Sequence, residues 1–169
     1  MTATPAVDVL VRSATAHRLH EYSHDPAASY GLEAAQAVGA EPHRVLKTLV
    51  VKSTEGLAIA VIPVATELDL KAMADVLGTK KATMAEPAEA ERSTGYVIGG
   101  ISPLGQKRRL QTVVDESVPQ WPTVFVSGGR RGLELELAPA DLVALTGALV
   151  ARVARSRRPG AATYSATRR

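Results

Sequence analysis

Residues 45–51, VLKTLVV, and residues 57–62, LAIAVI, form two neighbouring apolar stretches. Both are rich in β-formers and apolar at nearly every position, which predicts two strands buried on both faces of a sheet. Lys47 is the one charged residue in the first stretch. A lysine inside a buried strand is costly unless it is paired or reaches water. It therefore either extends to the surface or lies at the mouth of a pocket, and the sequence leaves both open.

Local signals around these strands predict interleaved helices and strands. Helices are predicted over residues 4–14, 32–38, 69–77, 87–92 and 139–154, with one helical turn at 41–44. Short strands are predicted over residues 18–22, 112–114, 123–126 and 133–137, and a glycine-rich loop that flanks one strand over 93–105. The strict Leu/Glu alternation of residues 133–137 predicts a strand with one polar face. This order predicts one α+β or mixed α/β domain around a curved sheet.

The charge distribution divides the chain near residue 152. Residues 1–151 carry 14 basic and 17 acidic side chains, whereas residues 152–169 carry six arginines and no acid. We therefore expect one domain over residues 1–152 and a mobile, arginine-rich tail over residues 153–169. Such a tail is either a solvated segment or an arm that attracts a polyanion such as RNA.

Composition excludes several classes of chemistry. The chain has no cysteine, which rules out disulfides, a thiol nucleophile and a thiolate metal site. It has no apolar run of about 18 residues and no secretory signal pattern, so we expect a cytoplasmic protein without a membrane partner. Hydrophobic residues make up 46% of the chain but aromatic residues only 4%, so the core must consist of aliphatic side chains.

Other patterns give weak support for specific chemistry. The glycines of residues 93–105 lack the spacing of a Walker or dinucleotide loop, which favours a plain loop over a ligand cradle. Ser127 precedes two glycines but lies outside a G-x-S-x-G motif, and no histidine can be paired with it. His20 and His24 flank a strand boundary rather than share a helix, which argues against a metal site. We expect no metal and no other cofactor.

Two short basic clusters, Lys107-Arg108-Arg109 and Arg130-Arg131, lie beside glycine-rich turns. A solvated face is the simplest interpretation. If both turns border one cleft, the clusters form an anion-binding rim. The candidates for contact with RNA are then Lys107, Arg108, Arg130 and Arg131.

Five segments carry a family resemblance. They are HDPA at 24–27, VLKTL at 45–49, LDLK at 68–71, RSTGYVIGGISPLGQK at 92–107 and VSGGRRGL at 126–133. In this order they resemble the YbaK-type Cys-tRNA(Pro) deacylases, relatives of the editing domain inserted in bacterial prolyl-tRNA synthetases. The likeness extends from about residue 5 to residue 150, and GGISPLGQK is long and specific.

The resemblance implies a mixed α/β domain with a curved, barrel-like sheet and a pocket for the aminoacyl-adenosine end of a tRNA. It implies that Lys47 is the essential lysine and that Gly99 is the loop glycine that lies against the substrate. The other pocket residues that it implies are Tyr22, Tyr30, Ser127 and Glu134, with the N–H of Gly100 as a donor beside that of Gly99. Glu134 stands at a position where the family has aspartate, and Tyr30 where a phenylalanine is expected.

The resemblance also implies a mechanism in which the substrate's own thiol attacks its ester carbonyl. The implied activity is removal of cysteine from Cys-tRNA(Pro), and from Cys-tRNA(Cys), with prolyl-tRNA synthetase as a partner. Two alternatives stay open. One is an editing hydrolase that removes alanine or another amino acid with activated water, and the other is a non-catalytic module that binds tRNA or a synthetase.

Overall fold

The computed structural model describes residues 3–25, 27 and 30–157. The α-helices are α1 (Pro5–Arg12), α2 (Tyr30–Val38), α3 (Leu70–Leu77), α4 (Pro87–Thr94) and α5 (Pro139–Thr146), with 3₁₀ turns at Pro42–Arg44 and Val118–Gln120. The strands are β1 (His17–Glu21), β2 (Leu46–Ser53), β3 (Gly56–Pro63), β4 (Thr66–Leu68), β5 (Ala82–Met84), β6 (Gln111–Asp115), β7 (Val124–Ser127), β8 (Leu133–Leu137), β9 (Leu149–Ala151) and β10 (Ala154–Ser156). None of the described helices is long and apolar enough to cross a membrane. The mixed α/β fold is confirmed, but its three sheets do not close into a barrel.

The two apolar strands β2 and β3 lie at the centre of a five-stranded sheet with the order β5-β2-β3-β6-β9. β2 and β3 run antiparallel, with Leu46 opposite Pro63. β6 is parallel to β3, and β9 is parallel to β6. Residues 58–63 of β3 are all buried, which confirms the prediction of a strand covered on both faces, whereas residues 47–49 of β2 are only partly buried.

The outer edge of β2 has a gap in its strand pairing. β5 pairs with this edge only over residues 51–53. At the other end, a single bridge joins Val45 to Phe125 and so connects the edge to the antiparallel sheet β1-β8-β7. Within the described residues, positions 46–49 therefore have no paired strand on this side. The gap brings β7 and β8 close to β2 without continuing the sheet.

The predicted helix over residues 139–154 is wrong in its second half. α5 ends where Gly147 adopts a left-handed φ of +63°, with its N–H bonded back to carbonyls of the last turn. The chain then enters β9, which pairs with β6. Leu149 continues the helical spacing of Leu142 and Leu145, and this spacing extended the prediction too far.

The first residues of the predicted tail belong to the fold. Val153 is fully buried, and β10 pairs antiparallel with β4. The main-chain N–H groups of Val153 and Ala154 donate to the carboxylate of Asp115 at distances of 3.0 and 2.8 Å. The boundary expected at residue 152 therefore falls inside packed structure. Residues 158–169 lie outside the described residues.

The glycine-rich segment 93–105 contains no strand, in contrast to the prediction. Its own side chains hold it: the Tyr96 hydroxyl donates to the carbonyl of Leu104 at 2.7 Å, and Ser102 Oγ accepts from the Leu104 N–H at 3.2 Å. Gly105 lies so close to Pro5 that a Cβ would be 2.5 Å from the Pro5 carbonyl oxygen. The loop is therefore fixed against the start of α1.

Asp115 links the end of β6 to the chain after β9, and its replacement should weaken the fold. Its side chain is buried, at 4% exposure, and accepts four hydrogen bonds, from the N–H and hydroxyl of Ser117 and the N–H groups of Val153 and Ala154. Burial acts to raise the pKa of Asp115, but these bonds outweigh it and hold the pKa below its usual value. We expect Asp115→Asn to lower the free energy of unfolding by about 2 kcal/mol at pH 7, because an amide cannot accept all four bonds.

Urea denaturation at several pH values measures this effect. Because the folded pKa is depressed, the stabilisation is present above the ordinary pKa of 3.8 and is lost as the pH falls through the folded value. The stability gap between wild type and Asp115→Asn should therefore narrow on acidification. Glu116→Gln is the matched control, since Glu116 is adjacent and exposed. Equal effects of the two substitutions, or a gap that widens in acid, would contradict this account.

Candidate active site

A cavity of about 410 Å³ lies at the gap in the pairing of β2. Its wall combines residues 45–50, the start of α2, residues 98, 99 and 101 of the glycine-rich loop, and the facing ends of β7 and β8. Most of the lining side chains are apolar, and the volume suits a small-molecule ligand or one end of a larger one. The polar lining side chains are Tyr30, Lys47, Thr48, Ser127, Glu134 and Arg157.

Lys47 lies on the cavity wall, as the second interpretation of its place in the strand requires. Its Nζ donates to the main-chain carbonyl of Thr66 at 2.8 Å. Burial lowers the pKa of the Lys47 amine, the charge of Arg157 lowers it further, and Glu67 acts in the opposite direction. The strand thus places a partly buried cation on a wall that is mostly apolar.

Glu134 and Ser127 are directly opposite each other in β8 and β7, so both side chains project from the same face of that sheet and both line the cavity. Glu134 is 6% exposed, and its Oε2 has no hydrogen-bond partner among the described residues. Burial raises the pKa of Glu134 from 4.5 to about 8, so the carboxyl is largely protonated at neutral pH. The polar face predicted for this strand is, at Glu134, the cavity wall.

Tyr22 neighbours this wall but does not line the cavity. Its N–H donates to the carbonyl of Gly132 at 2.9 Å, which holds the chain after β1 next to the start of β8. Burial, and then the charge of Glu134, raise the pKa of Tyr22 to about 12. The implied pocket tyrosine is therefore close to Glu134, whereas Tyr30 forms part of the wall itself.

Gly99 lies in a tightly packed part of the loop. It adopts a φ of +89°, and a Cβ at this position would lie 2.6 Å from Arg131 Nε and 3.0 Å from the ring of Tyr30. The Arg131 guanidinium lies 4.4 Å from the Tyr30 ring centroid and donates two hydrogen bonds, of 3.1 and 2.6 Å, to the carbonyl of Ile98. The Gly99 N–H belongs to the same trans peptide as that carbonyl, so it points away from Arg131.

Gly100 packs the loop instead of lining the cavity. Its N–H donates to the carbonyl of Val97 at 2.9 Å, so it is not free to act as the second donor that the resemblance implied. A Cβ on Gly100 would lie 2.8 Å from Arg130 Cα. Close packing against Arg130 therefore explains why this position is a glycine. Of these two glycines, therefore, only Gly99 lines the cavity, and the Gly100 N–H is already bonded.

The four cations predicted to contact RNA lie in different environments. Arg131 contacts the cavity wall through Tyr30, and Arg130 pairs with Glu21 at 3.2 Å. Arg108 lines a different cavity, of about 360 Å³, beside α4. The Lys107 N–H is bonded to the last residue of α4. The two basic clusters therefore do not line one cavity.

The histidines are engaged with other partners. The contacts are His17 with the Thr15 carbonyl at 2.7 Å, His20 with Glu136 at 2.9 Å, His24 with Glu33 at 2.8 Å and His43 with Glu41 at 2.7 Å. Within the described part of the chain no histidine lines the cavity, and Ser127 Oγ accepts a hydrogen bond from the Gly129 N–H. A Ser–His pair is therefore not formed there. The same residues contain no group of three or more His, Asp or Glu placed to hold a metal.

Two polar wall residues, Thr48 and Arg157, were not identified from the sequence. Thr48 Oγ1 is buried and has no hydrogen-bond partner in the described structure. In the sequence it is a polar residue within an apolar strand, in the VLKTL segment that resembles the family. Arg157 follows β10, and its Nη2 donates to the carbonyl of Val64 at 2.8 Å. Its only sequence signal was the arginine-rich composition of the C-terminal segment.

Similarity to known proteins extends over most of the chain. The profile of the family described as "Aminoacyl-tRNA editing domain" matches residues 24–145. An Enterococcus faecalis protein named "Putative Cys-tRNA(Pro)/Cys-tRNA(Cys) deacylase EbsC" is 41% identical over 120 residues, which cover 70% of this chain and 73% of that protein. The proline–tRNA ligase of Thermosipho melanesiensis is 29% identical over 111 residues, which cover 66% of this chain but only 19% of the ligase.

Solved structures give the same result. The crystal structure of "a putative trans-editing enzyme for prolyl tRNA synthetase" matches with a TM-score of 0.81 at 29% identity, covering 92% of this chain and 100% of that one. The family match spans well over half of the chain and includes both Lys47 and the glycine-rich loop. The chain therefore belongs to the aminoacyl-tRNA editing domain family.

Proposed function

We propose that this chain is a trans-editing deacylase that removes cysteine from Cys-tRNA(Pro), and from Cys-tRNA(Cys). The observation that carries the proposal is the cavity lined by Lys47, Gly99 and Glu134 in a chain of the editing family without any cysteine of its own. The relative from Enterococcus faecalis is named for the same two substrates. The nucleophile then comes from the substrate.

In the proposed reaction, the thiol sulfur of the esterified cysteine attacks its own ester carbonyl carbon. A carbon–sulfur bond forms, the carbon–oxygen bond to the ribose breaks, and the thiol proton ends on the freed ribose hydroxyl. Cysteine leaves as a cyclic thiolactone, and the tRNA is released. The protein has to hold sulfur and carbonyl close and aligned, and such alignment can lower a barrier by roughly 7–11 kcal/mol.

Gly99 and Lys47 have separate tasks in this mechanism. Negative charge develops on the carbonyl oxygen during the attack, and the Gly99 N–H donates to it. Arg131 holds the Ile98 carbonyl on the other side of that peptide, so the donor is oriented before the substrate arrives. Lys47 binds the phosphate or ribose of the terminal adenosine and positions the ester, rather than acting as a base.

Glu134 contacts the cysteinyl group. Its buried Oε2 has no partner in the described structure, and the α-ammonium of an aminoacyl ester is a complementary group. An approaching ammonium favours the ionised carboxyl, so binding converts a neutral acid into half of an ion pair. The carboxyl therefore gives up its proton when the substrate binds.

Selection follows from the chemistry of the cargo. Serine and alanine esters have no thiol, so a site that supplies no nucleophile of its own spares them. Thiol chemistry does not distinguish one tRNA from another, and we propose that the chain acts beside prolyl-tRNA synthetase. The similarity to part of a proline–tRNA ligase supports that pairing.

Release of labelled amino acid from Cys-tRNA(Pro), with Ala-tRNA(Pro) in parallel, tests the activity and the cargo. We expect loss of cysteine only, and a loss of about 100-fold or more in rate for Lys47→Ala, since misplaced reacting groups cost that much. Lys52→Ala is the matched control, because Lys52 lies on the same strand but is exposed and paired with Glu89 at 3.3 Å. Circular dichroism verifies that both variants fold.

The other outcomes of this assay are equally specific. Loss of alanine would assign the protein to the water-activated branch of editing enzymes. Loss of neither amino acid would leave a module that binds tRNA or a synthetase. Near-normal activity of Lys47→Ala would refute the role given to the lysine.

Gly99→Ala tests the loop separately from the lysine. A Cβ at Gly99 must displace Arg131 or Tyr30, so we expect kcat to fall by about 100-fold, as when one oxyanion donor is lost. Gly78→Ala is the control, since Gly78 has a similar φ of +73° but open space around it. That variant should lose only about 1 kcal/mol of stability and keep its activity. If the two variants lost activity equally, the loss in Gly99→Ala would be explained by backbone strain and not by the loss of the Gly99 donor.

The buried carboxyl predicts a pH dependence of stability in the free protein. The folded pKa of Glu134, about 8, exceeds its ordinary value of 4.5, so its contribution to stability declines as the pH rises between these values. Glu134→Gln should therefore gain stability relative to wild type over this range, as measured by urea denaturation. Glu136→Gln should show no such trend over this range, because a hydrogen bond from Thr123 lowers the pKa of Glu136 and its contribution to stability changes only below the ordinary value of 4.5. A Glu134→Gln difference that does not change with pH would refute the raised pKa.

A further inference from the structure

Arg157 reaches the cavity from a segment outside the family motifs. It follows β10, which is held to the fold by pairing with β4 and by the ion pair of Arg155 with Glu67 at 3.0 Å. The Arg157 Nη2 donates to the carbonyl of Val64 at 2.8 Å, and the residue forms part of the cavity wall. The fold therefore places a second cation on the wall that already carries Lys47.

Arg157 and Lys47 are held in the same way and lie close together. Lys47 donates to the carbonyl of Thr66 and Arg157 to that of Val64, two residues apart where β3 turns into β4. The charge of Arg157 is strong enough at Lys47 to lower the pKa of the amine. Two cations thus share one turn, and each is satisfied by a neutral carbonyl instead of a carboxylate.

The positive charge of this pair is not balanced within the described residues. Neither side chain has a carboxylate within ion-pair distance, and Glu67, which raises the pKa of Lys47, is itself paired with Arg155. The acid on the described cavity wall, Glu134, is largely protonated at neutral pH. Like charges held together without a carboxylate partner favour binding of an anion.

The chemistry of the proposed substrate identifies the anion. An aminoacyl ester has no free carboxylate, so the negative charge nearest to the reacting ester is the phosphodiester on the 5′ side of the terminal adenosine. A planar guanidinium presents paired N–H donors that match two phosphate oxygens, and an ammonium adds a point charge. We propose that Arg157 is a substrate-binding residue that, together with Lys47, binds this phosphodiester, an assignment that rests on the proposed function.

Binding of two small ligands tests the assignment without any deacylation. Dissociation constants are measured by titration calorimetry for adenosine and for adenosine 5′-methylphosphate, a diester with no second base. We expect wild type to prefer the diester by about tenfold, the size of one charge-assisted hydrogen bond. Arg157→Gln should remove most of this preference, and Arg157→Lys should keep part of it. Arg152→Gln removes a neighbouring exposed arginine that does not line the cavity and should keep it in full.

Three results would overturn the proposal. The first is a wild-type protein that binds both ligands equally, and the second is an Arg157→Gln variant that retains the full preference. The third is competition by inorganic phosphate with an affinity equal to that of the diester. The two cations would then bind a free anion rather than a phosphodiester. Since these ligands carry no amino acid, a protein inactive on Cys-tRNA(Pro) can still show the Arg157-dependent preference, and the two proposals fail separately.

Kinetics on Cys-tRNA(Pro) add a second readout. A residue that binds the diester in both ground and transition states should act on KM more than on kcat, so Arg157→Gln should raise KM by about tenfold. The salt dependence of KM should also flatten, because one phosphate contact is lost. A fall confined to kcat, with unchanged salt dependence, would place Arg157 elsewhere in the mechanism and refute phosphate binding.

Discussion

The cavity depends on one constraint, the interrupted pairing of β2 along its outer edge. The Val64 N–H donates to the carbonyl of Val45, and in an antiparallel ladder alternate residues direct their main-chain groups to the partner strand. The N–H and C=O of Thr48 therefore point away from β3, towards the edge that neither β5 nor β7 covers. An open edge is ordinarily a liability in a sheet. Here the open edge forms a wall of the cavity. β2 therefore contributes both to the hydrophobic core and to the candidate active site.

This arrangement leaves polar groups buried without partners. Thr48 Oγ1 and Glu134 Oε2 both lie in the wall unsatisfied by described residues, and Glu134 responds by holding its proton. Each such group costs about 1–3 kcal/mol that the free protein has to carry. Local violations of this kind are expected at functional sites, where the rest of the fold compensates. A ligand with complementary donors and acceptors removes the cost, which makes the empty site less stable than the occupied one.

Much of the fold could be predicted because its signals are local. Asp69 caps α3 and Gly78 ends it, and the apolar stretches that predicted β2 and β3 span seven and six residues. The strands β4, β5, β9 and β10 have three residues each, too few for a period to appear, and they exist only through pairing with distant strands. The extension of α5 failed for the same reason, because parallel pairing with β6 overrides helical spacing.

The site residues likewise differ in whether a local sequence signal could identify them. Lys47 could be identified from the sequence of its own strand, because burying a charged side chain in an apolar sheet is unfavourable. The alternation around Glu134 predicted the correct strand and its polar face but not the cavity that this face lines, since a period of two cannot distinguish water from a cavity. Family resemblance, rather than pattern, marked Glu134 and Gly99 as site residues. Arg157 had neither signal, because the pairing of β10 with β4 alone brings it to the wall.

Counting cations in the sequence is a poor guide to where a polyanion binds, because several of them have internal tasks. Arg130 pairs with Glu21, and Arg131 is held by the Ile98 carbonyl and the ring of Tyr30. Arg131 thereby orients the glycine loop and, although it is exposed, does not line the cavity. The cations available to bind a phosphate are those that lie on the cavity wall and have no carboxylate partner among the described residues. That criterion favours Lys47 and Arg157, one partly buried in β2 and one in a segment whose composition had indicated only a tail.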